Sequence, residues 1–153
     1  MKKPVIVIVG PTASGKTGVA IELADKIEGE IIAADSRTIY KGMDIGTAKP
    51  SRAECKNIIH HGFDLVEPDE RFTVFDWKKF AEQKIKEILE RGRYPIVVGG
   101  TGLYVDALIF DYQFNEVVKK TDADREKMRE GFLVYGISWE DDELRQRIEQ
   151  RER

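Results

Sequence analysis

A single cysteine, Cys55, stands in 153 residues, so no disulfide can form within the chain. It reads as an ordinary small side chain in a helix or loop. No apolar run approaches the roughly 20 residues that a membrane-spanning helix needs. Lys2 and Lys3 precede only the short run Val5–Val9, which passes straight into glycine. That is the pattern of a buried strand and not of a signal peptide, so a cytoplasmic location is expected. Basic excess is missing too: 25 Lys and Arg stand against 28 Asp and Glu, a net charge of −3. No global positive field advertises a nucleic-acid partner, although a local basic face stays open. Only two histidines occur, His60 and His61, and no cysteine or second histidine cluster completes a metal site around them. They read as structural or as lying at a substrate's edge. Repeats, low-complexity tracts and internal linkers are absent, and the length is that of one domain.

What is present is a soluble globular composition, 41% hydrophobic and 35% charged, and one strong motif. Gly10-Pro11-Thr12-Ala13-Ser14-Gly15-Lys16-Thr17 is the G-x-x-x-x-G-K-[ST] pattern. It follows the β-branched run Val5–Val9 and opens into a stretch with helical periodicity. Glycine permits backbone angles that let successive amides turn inward around phosphate oxygens. The helix beginning there adds the positive end of its dipole. Lys16 supplies a point charge for a phosphate, and Thr17 a hydroxyl suited to Mg²⁺.

The rest of the chain alternates strand-like and helix-like segments. A helix is predicted over Thr17–Ile27, with Gly29 as its stop, and a second strand over Glu30–Ala34. Ser51 is a candidate cap for a short helix to Asn57, and Gly62–Val66 reads as a third strand. Thr73–Arg91 is the best amphipathic helix, with Phe75, Phe80, Ala81, Ile85, Ile88 and Leu89 as its apolar stripe. A fourth strand, Tyr94–Val98, runs into Gly99-Gly100-Thr101-Gly102 and a helix to about Phe110. Asp122–Glu130 is weakly helical, Phe132–Trp139 is a fifth strand, and Asp141–Arg153 is a charged helix. Trp77 and Trp139 read as packing residues. The alternation predicts an α/β, P-loop NTPase-like three-layer fold with a mainly parallel five-stranded sheet. Ligands in such folds lie beyond the carboxyl ends of the strands. That rule puts Gly10–Thr17, Asp35–Thr38 and Gly99–Gly102 on one rim.

The rim also lacks something. P-loop hydrolases usually carry an aspartate that ends an apolar strand and helps hold Mg²⁺. Here Ile96-Val97-Val98 runs into glycine with no acid, and Asp64 is a weak substitute. Asp35, after the second strand, is the carboxylate of interest. It is placed to act as a base on an incoming nucleophile. It is equally suited to forming a turn before Ser36, and the residues alone leave both roles open.

Together these segments resemble the tRNA dimethylallyltransferases. The resemblance is carried by Gly10–Thr17, by Ala34-Asp35-Ser36-Arg37 with Tyr40, and by Gly42-Met-Asp-Ile-Gly-Thr-Ala-Lys-Pro50. His60-His61, Asp64, Glu67-Pro68-Asp69, Gly92-Arg93 and Val98-Gly-Gly-Thr-Gly-Leu-Tyr104 extend it, near-continuously from Pro4 to Leu108. It implies transfer of a five-carbon prenyl group from dimethylallyl diphosphate to the exocyclic amine of an adenine beside a tRNA anticodon. Gly10 to Thr17 would then form the diphosphate loop, with Thr12 to Thr17 on the diphosphate and Thr17 on Mg²⁺. Asp35 would take the proton from N6. Asp35, Ser36, Arg37 and Thr38 would meet the RNA, and Thr101 would sit beside the adenine or the diphosphate as a second catalytic residue. A diphosphate leaving group also accounts for the missing acid. The implied partners are dimethylallyl diphosphate and a tRNA anticodon stem-loop, with no membrane, and a monomer is expected.

The family's members are about twice this length and carry a helical insertion that grips the anticodon stem. In this chain Phe132–Trp139 and Glu143–Arg151 resemble the family's later strand and helix, and only 111–131 lies before them. Residues 1–153 are therefore expected to be one P-loop catalytic core, with 111–131 a short bridge in the insertion's place. Either the insertion has been removed or replaced, or the chain is a reduced member, and weak tRNA binding is expected. Three other functions fit parts of the pattern. They are prenylation of a free adenine nucleotide, a small-molecule P-loop kinase, and a phosphate-binding fold without turnover. A kinase would need a lid arginine cluster, and Arg125, Arg129, Arg145, Arg147, Arg151 and Arg153 are the candidates.

Overall fold

β-Branched runs that alternate between two buried faces build the centre of the molecule. The computed structural model describes residues 3–43, 49–112 and 132–136. Strands β1 (Val5–Val9), β2 (Gly29–Ala33), β3 (His60–His61), β4 (Tyr94–Gly99) and β5 (Phe132–Gly136) form one sheet in the order β3-β2-β4-β1-β5. Every pairing is parallel. Helices α1 (Lys16–Ile27), α2 (Val74–Glu90) and α3 (Gly102–Ile109) cover the sheet.

Period-two alternation divides the core into two layers. Ile6, Ile8, Ile31, Ile96 and Val98 pack with Ala20, Ile21 and Ala24 of α1. On the opposite face, Val5, Val7, Ile32 and Val97 pack with residues of α2 and α3, Trp77 and Leu108 among them. The α/β three-layer expectation and its parallel five-stranded sheet are thus observed. Trp77 is fully buried, stacks on Tyr104 at 4.8 Å between ring centroids, and donates Nε1–H to the Ala33 carbonyl at 2.9 Å. One aromatic side chain thereby joins α2, α3 and the end of β2 just beneath the rim.

Several local expectations need correction. The left-handed residue that ends α1 is Glu28 (φ 57°), and Gly29 already belongs to β2. Gly29 sits in tight packing instead: a β-carbon there would lie 2.7 Å from Ile96 Cδ1 and 3.2 Å from both Ala24 Cα and the Tyr94 carbonyl oxygen. Ser51 does cap, exchanging hydrogen bonds with Glu54 (Ser51 N to Oε2 2.7 Å, Glu54 N to Oγ 3.3 Å), but residues 52–57 form turns and no helix. Left-handed Lys56 and Asn57 close the segment. The third strand is His60–His61 and not Gly62–Val66, because Gly62 (φ 96°) and Asp64 (φ 53°) turn the chain out of the ladder. Val66 keeps one isolated bridge, to Tyr40.

The helix predicted over Thr73–Arg91 is observed as α2 with Thr73 and Arg91 as its caps, and a capping box with Asp76 holds its start. Phe75, expected in the stripe, is 44% exposed, and Trp77 occupies the core in its place. The fifth strand is described over Phe132–Gly136. Residues 44–48, the helices expected at Asp122–Glu130 and Asp141–Arg153, the bridge beyond Tyr112, and Trp139 lie outside the described residues. Among the described residues, no helix is long and apolar enough to cross a membrane.

Candidate active site

The loop after β1 is shaped by two left-handed residues, Ala13 (φ 63°) and Gly15 (φ 83°). Ser14 N donates to the Pro11 carbonyl at 3.3 Å, closing the loop on itself. Gly15 caps α1 without a side-chain hydrogen bond, so the first amides of that twelve-residue helix have no side-chain acceptor at the cap. Ser14 is buried, and its Oγ has no partner among the described residues. Lys16 Nζ folds back to the Pro11 carbonyl at 3.0 Å. Unsatisfied amides, an unpartnered hydroxyl and an ammonium held by one neutral carbonyl together make a concave anion site.

The loop after β4 closes one side of it. A β-carbon on Gly100 would stand 3.3 Å from the Gly10 carbonyl oxygen and 3.7 Å from Lys16 Nζ, which shows how nearly the two loops touch. The loop after β2 is stitched to the same segment. Thr101 N donates to the Ala34 carbonyl at 3.2 Å, and Ser36 N donates to Thr101 Oγ1 at 3.0 Å. The Thr101 hydroxyl therefore serves the Ala34–Ser36 corner.

Asp35 does form the turn: Arg37 N donates to its Oδ1 at 2.8 Å, and Thr38 Oγ1 donates to its main-chain carbonyl at 3.2 Å. The other oxygen, Oδ2, is not engaged in that turn. Asp35 also lines a cleft shared with Lys16, Thr17 and Thr38. The turn is thus observed, and the same residue faces the cleft. Ser36 and Arg37 are exposed beside it, and Thr38 is buried. The remaining cleft wall is apolar: Ala20 from α1, Ile31 and Ala33 from β2, Val98, and Phe63. His60 completes it, stacked on Phe63 at 5.6 Å. Asp64, the weak substitute for a hydrolase acid, is instead ion-paired to Lys49 at 2.7 Å.

The apolar wall was not singled out from the sequence, although a signal existed. Ile31 and Ala33 share a face by alternation, and α1 carries Ala20 where a larger side chain would fill the space. Phe63 gave no signal, since it comes after a glycine in a turn.

Tyr104 adds a charge-sensitive element under the rim. Burial pushes its phenol up to about 12, with Tyr40, Asp35 and Asp76 adding to the effect. An unfolded tyrosine ionises near 10, so the folded state retains the proton where the unfolded chain loses it. This contribution to stability is complete below pH 10 and is lost as pH rises through about 12. The expected result is a fall in denaturation midpoint across that window, flattened in Tyr104→Phe. A wild-type midpoint no steeper than the variant's would contradict it.

Comparison with known proteins decides the affiliation. The sequence model of the family described as IPP transferase matches residues 38–133, well over half of the chain, and that of isopentenyl transferase matches residues 3–61. The chain belongs to the IPP transferase family. A tRNA dimethylallyltransferase of Pelotomaculum thermopropionicum is 57% identical over 113 residues, which make up 74% of this chain and 36% of that protein. One from Exiguobacterium sibiricum is 48% identical over 145 residues, 95% of this chain and 46% of that protein. Among solved IPP transferase structures, the full-length tRNA isopentenylpyrophosphate transferase of Bacillus halodurans superposes with a TM-score of 0.72 at 44% identity. That match covers 82% of this chain and 41% of the other. A eukaryotic dimethylallyltransferase acting on tRNA superposes at 0.71 with 34% identity, over 82% and 31%. The chain thus spans less than half the length of these relatives.

Proposed function

We propose that this chain is the P-loop catalytic core of a tRNA dimethylallyltransferase. It moves a dimethylallyl group from dimethylallyl diphosphate to N6 of an adenine next to the anticodon. One observation carries the reading: Lys16 and Thr17 of the anion site and Asp35 line one cleft together with the apolar Ala20, Ile31, Ala33, Phe63 and Val98. An allylic diphosphate presents both an anion and a hydrocarbon, and this cleft offers a partner to each.

In this reading the loop amides, the Ser14 hydroxyl and Lys16 hold the diphosphate. The C1–O bond of the donor breaks, and its electron pair leaves with the diphosphate, whose developing charge Lys16 and the helix terminus stabilise. N6 of the adenine attacks C1, and the surplus proton passes to Asp35. Ile31, Ala33 and Phe63 shelter the allyl group from water. Thr17 offers a hard hydroxyl oxygen in the cleft, a donor type that fits Mg²⁺ and would help to hold it. Bound there, Mg²⁺ would supply further charge stabilisation for the leaving group. Ser36 and Arg37 stand exposed where RNA would approach, with Thr38 behind them, and Thr101 holds that corner in place.

A transfer assay with labelled dimethylallyl diphosphate and Mg²⁺ tests this, with an anticodon stem-loop, AMP or no acceptor. Label is expected on the stem-loop and is expected to vanish in Lys16→Ala. Label on AMP alone would replace the acceptor with a free nucleotide. Phosphoryl transfer from ATP without prenylation would replace the reaction class.

A further inference from the structure

The two adjacent histidines part across the sheet. In β3, His60 pairs with Ile31 and His61 with Ile32, so alternation sends their side chains to opposite faces. His60 enters the cleft wall on the α1 face. Its Nδ1 lies 2.8 Å from the Ile58 carbonyl, which can only accept, so that nitrogen is assigned the proton. Nε2 is left as a bare acceptor, buried and without a partner among the described residues. Burial holds this imidazole neutral, below the ordinary histidine range, against the opposing pull of the Ile58 bond and with help from His61.

His61 turns to the other face and meets Glu30, Nε2 to Oε2 at 2.7 Å. Glu30 is fully buried at the start of β2. Arg91, the cap of α2, engages both of its oxygens, Nε to Oε1 at 3.1 Å and Nη2 to Oε2 at 2.7 Å. Arg93, leading into β4, brings Nη1 within 3.5 Å of Oε1. Burial alone would push the Glu30 carboxyl up. Hydrogen bonds and charge from Arg91 and His61 outweigh it and hold the group ionised, below its ordinary range. One carboxylate therefore ties together the ends of β2, β3, α2 and β4.

A two-residue edge strand has few ladder bonds to set its register; Ile31 N to the Ile59 carbonyl, 2.9 Å, is one. A slip of one residue would exchange the faces of the two histidines. It would also leave a buried carboxylate short of a partner, which is costly.

We propose that the Glu30–Arg91–His61 cluster is a positioning device that locks the register of β3, so that His60 stays in the cleft wall with Nε2 bare to accept a hydrogen bond from water ordered at the bound donor. This rests on the reading of that cleft as the donor site. His61 is thus a positioning residue that never touches the ligand. The first of the paired histidines meets the water around the donor, and the second aims it.

Long-range ¹⁵N NMR of the imidazoles in the whole chain tests this, with and without dimethylallyl diphosphate and Mg²⁺. His60 is expected as the Nδ1–H tautomer, with an Nε2 resonance that moves on addition of the donor. In His61→Leu the tautomer signature is expected to average and the donor response to disappear, with donor Kd raised about fivefold or more. His61→Gln, which can still donate to Glu30, is expected to restore both. His60→Ala is expected to raise Kd by a similar factor, and the double variant His60→Ala/His61→Leu by no more than either alone. Should His61→Leu fail to fold, Arg91→Met, on a half-exposed side chain, is expected to shift the same signals in the same direction. An unchanged His60 tautomer in these variants, or effects that multiply in the double variant, would overturn the proposal. If the donor moves no cleft resonance of the wild type, the donor-site reading falls, while the ligand-free tautomer comparison still decides the positioning.

Discussion

Asp35→Asn is expected to slow prenyl transfer by about 10²–10⁴-fold, the usual worth of a positioned general base, while donor affinity stays within about twofold. The separation comes from how the carboxylate is used. Oδ1 accepts the Arg37 amide at 2.8 Å, and the carbonyl oxygen of an asparagine can do the same. The turn from Asp35 to Thr38 therefore survives the change, and with it the approach of Ser36 to Thr101. What the amide cannot do is accept a proton from the attacking nitrogen. Asp35→Ala would remove both functions and so separates them less cleanly. Single-turnover rates at saturating donor, set beside direct donor titration, make the measurement. A full rate in Asp35→Asn would remove Asp35 as the base. A parallel loss of affinity would make it a binding residue instead.

Gly99→Ala is expected to be the most destabilising single methyl that can be added to the rim. A β-carbon there would lie 2.1 Å from the Ala34 carbonyl oxygen and 2.8 Å from Ala34 Cα. Both are backbone atoms of the neighbouring strand's end, so no rotamer change relieves the clash. The strands must separate where Ala34 N donates to the Val98 carbonyl at 2.7 Å and Thr101 N donates to the Ala34 carbonyl. Overpacking together with broken buried hydrogen bonds places the loss at about 3 kcal/mol or more. For a domain of this size that lowers the thermal midpoint by roughly 6–12 °C. Gly102→Ala, three residues on at the start of α3, meets nothing within 4 Å and is expected to stay within about 0.5 kcal/mol of wild type. Thermal unfolding of the two variants side by side tests the contrast. Equal midpoints would mean that β2 and β4 do not approach this closely.

The phosphate loop, the helix behind it and both buried strands that flank them were legible because their signals are local. A β-branched run, glycines at fixed spacing and a 3.6-residue period follow one another directly from Val5 to Ile27. The capping box at Thr73 and Asp76 is local in the same way. The third strand was misplaced for the opposite reason. Gly62–Val66 contains apolar residues, but left-handed Gly62 and Asp64 leave it unable to hold a ladder, while His60–His61 pairs despite its polarity. Cross-strand partners decide that, and no window of sequence contains them. Phe75 and Trp77 show the same limit on a helix. The period marks both as near the stripe, and only the bond from Trp77 to Ala33 distinguishes the one that goes inside.

Sequence by itself determined the fold class, the anion loop and the family, since each rests on residue types at short, fixed separations. Tertiary structure decided how the pieces act together. It showed that Asp35 both makes a turn and lines the cleft, and that the Thr101 hydroxyl accepts from the Ser36 amide. It also showed that apolar residues from α1, β2 and the Gly62 turn complete the cleft, and that paired histidines serve opposite faces. Apart from the turn itself, these facts depend on contacts distant in sequence, such as Ser36 with Thr101 and His61 with Glu30, and such contacts come into being only when the parallel strands are laid side by side.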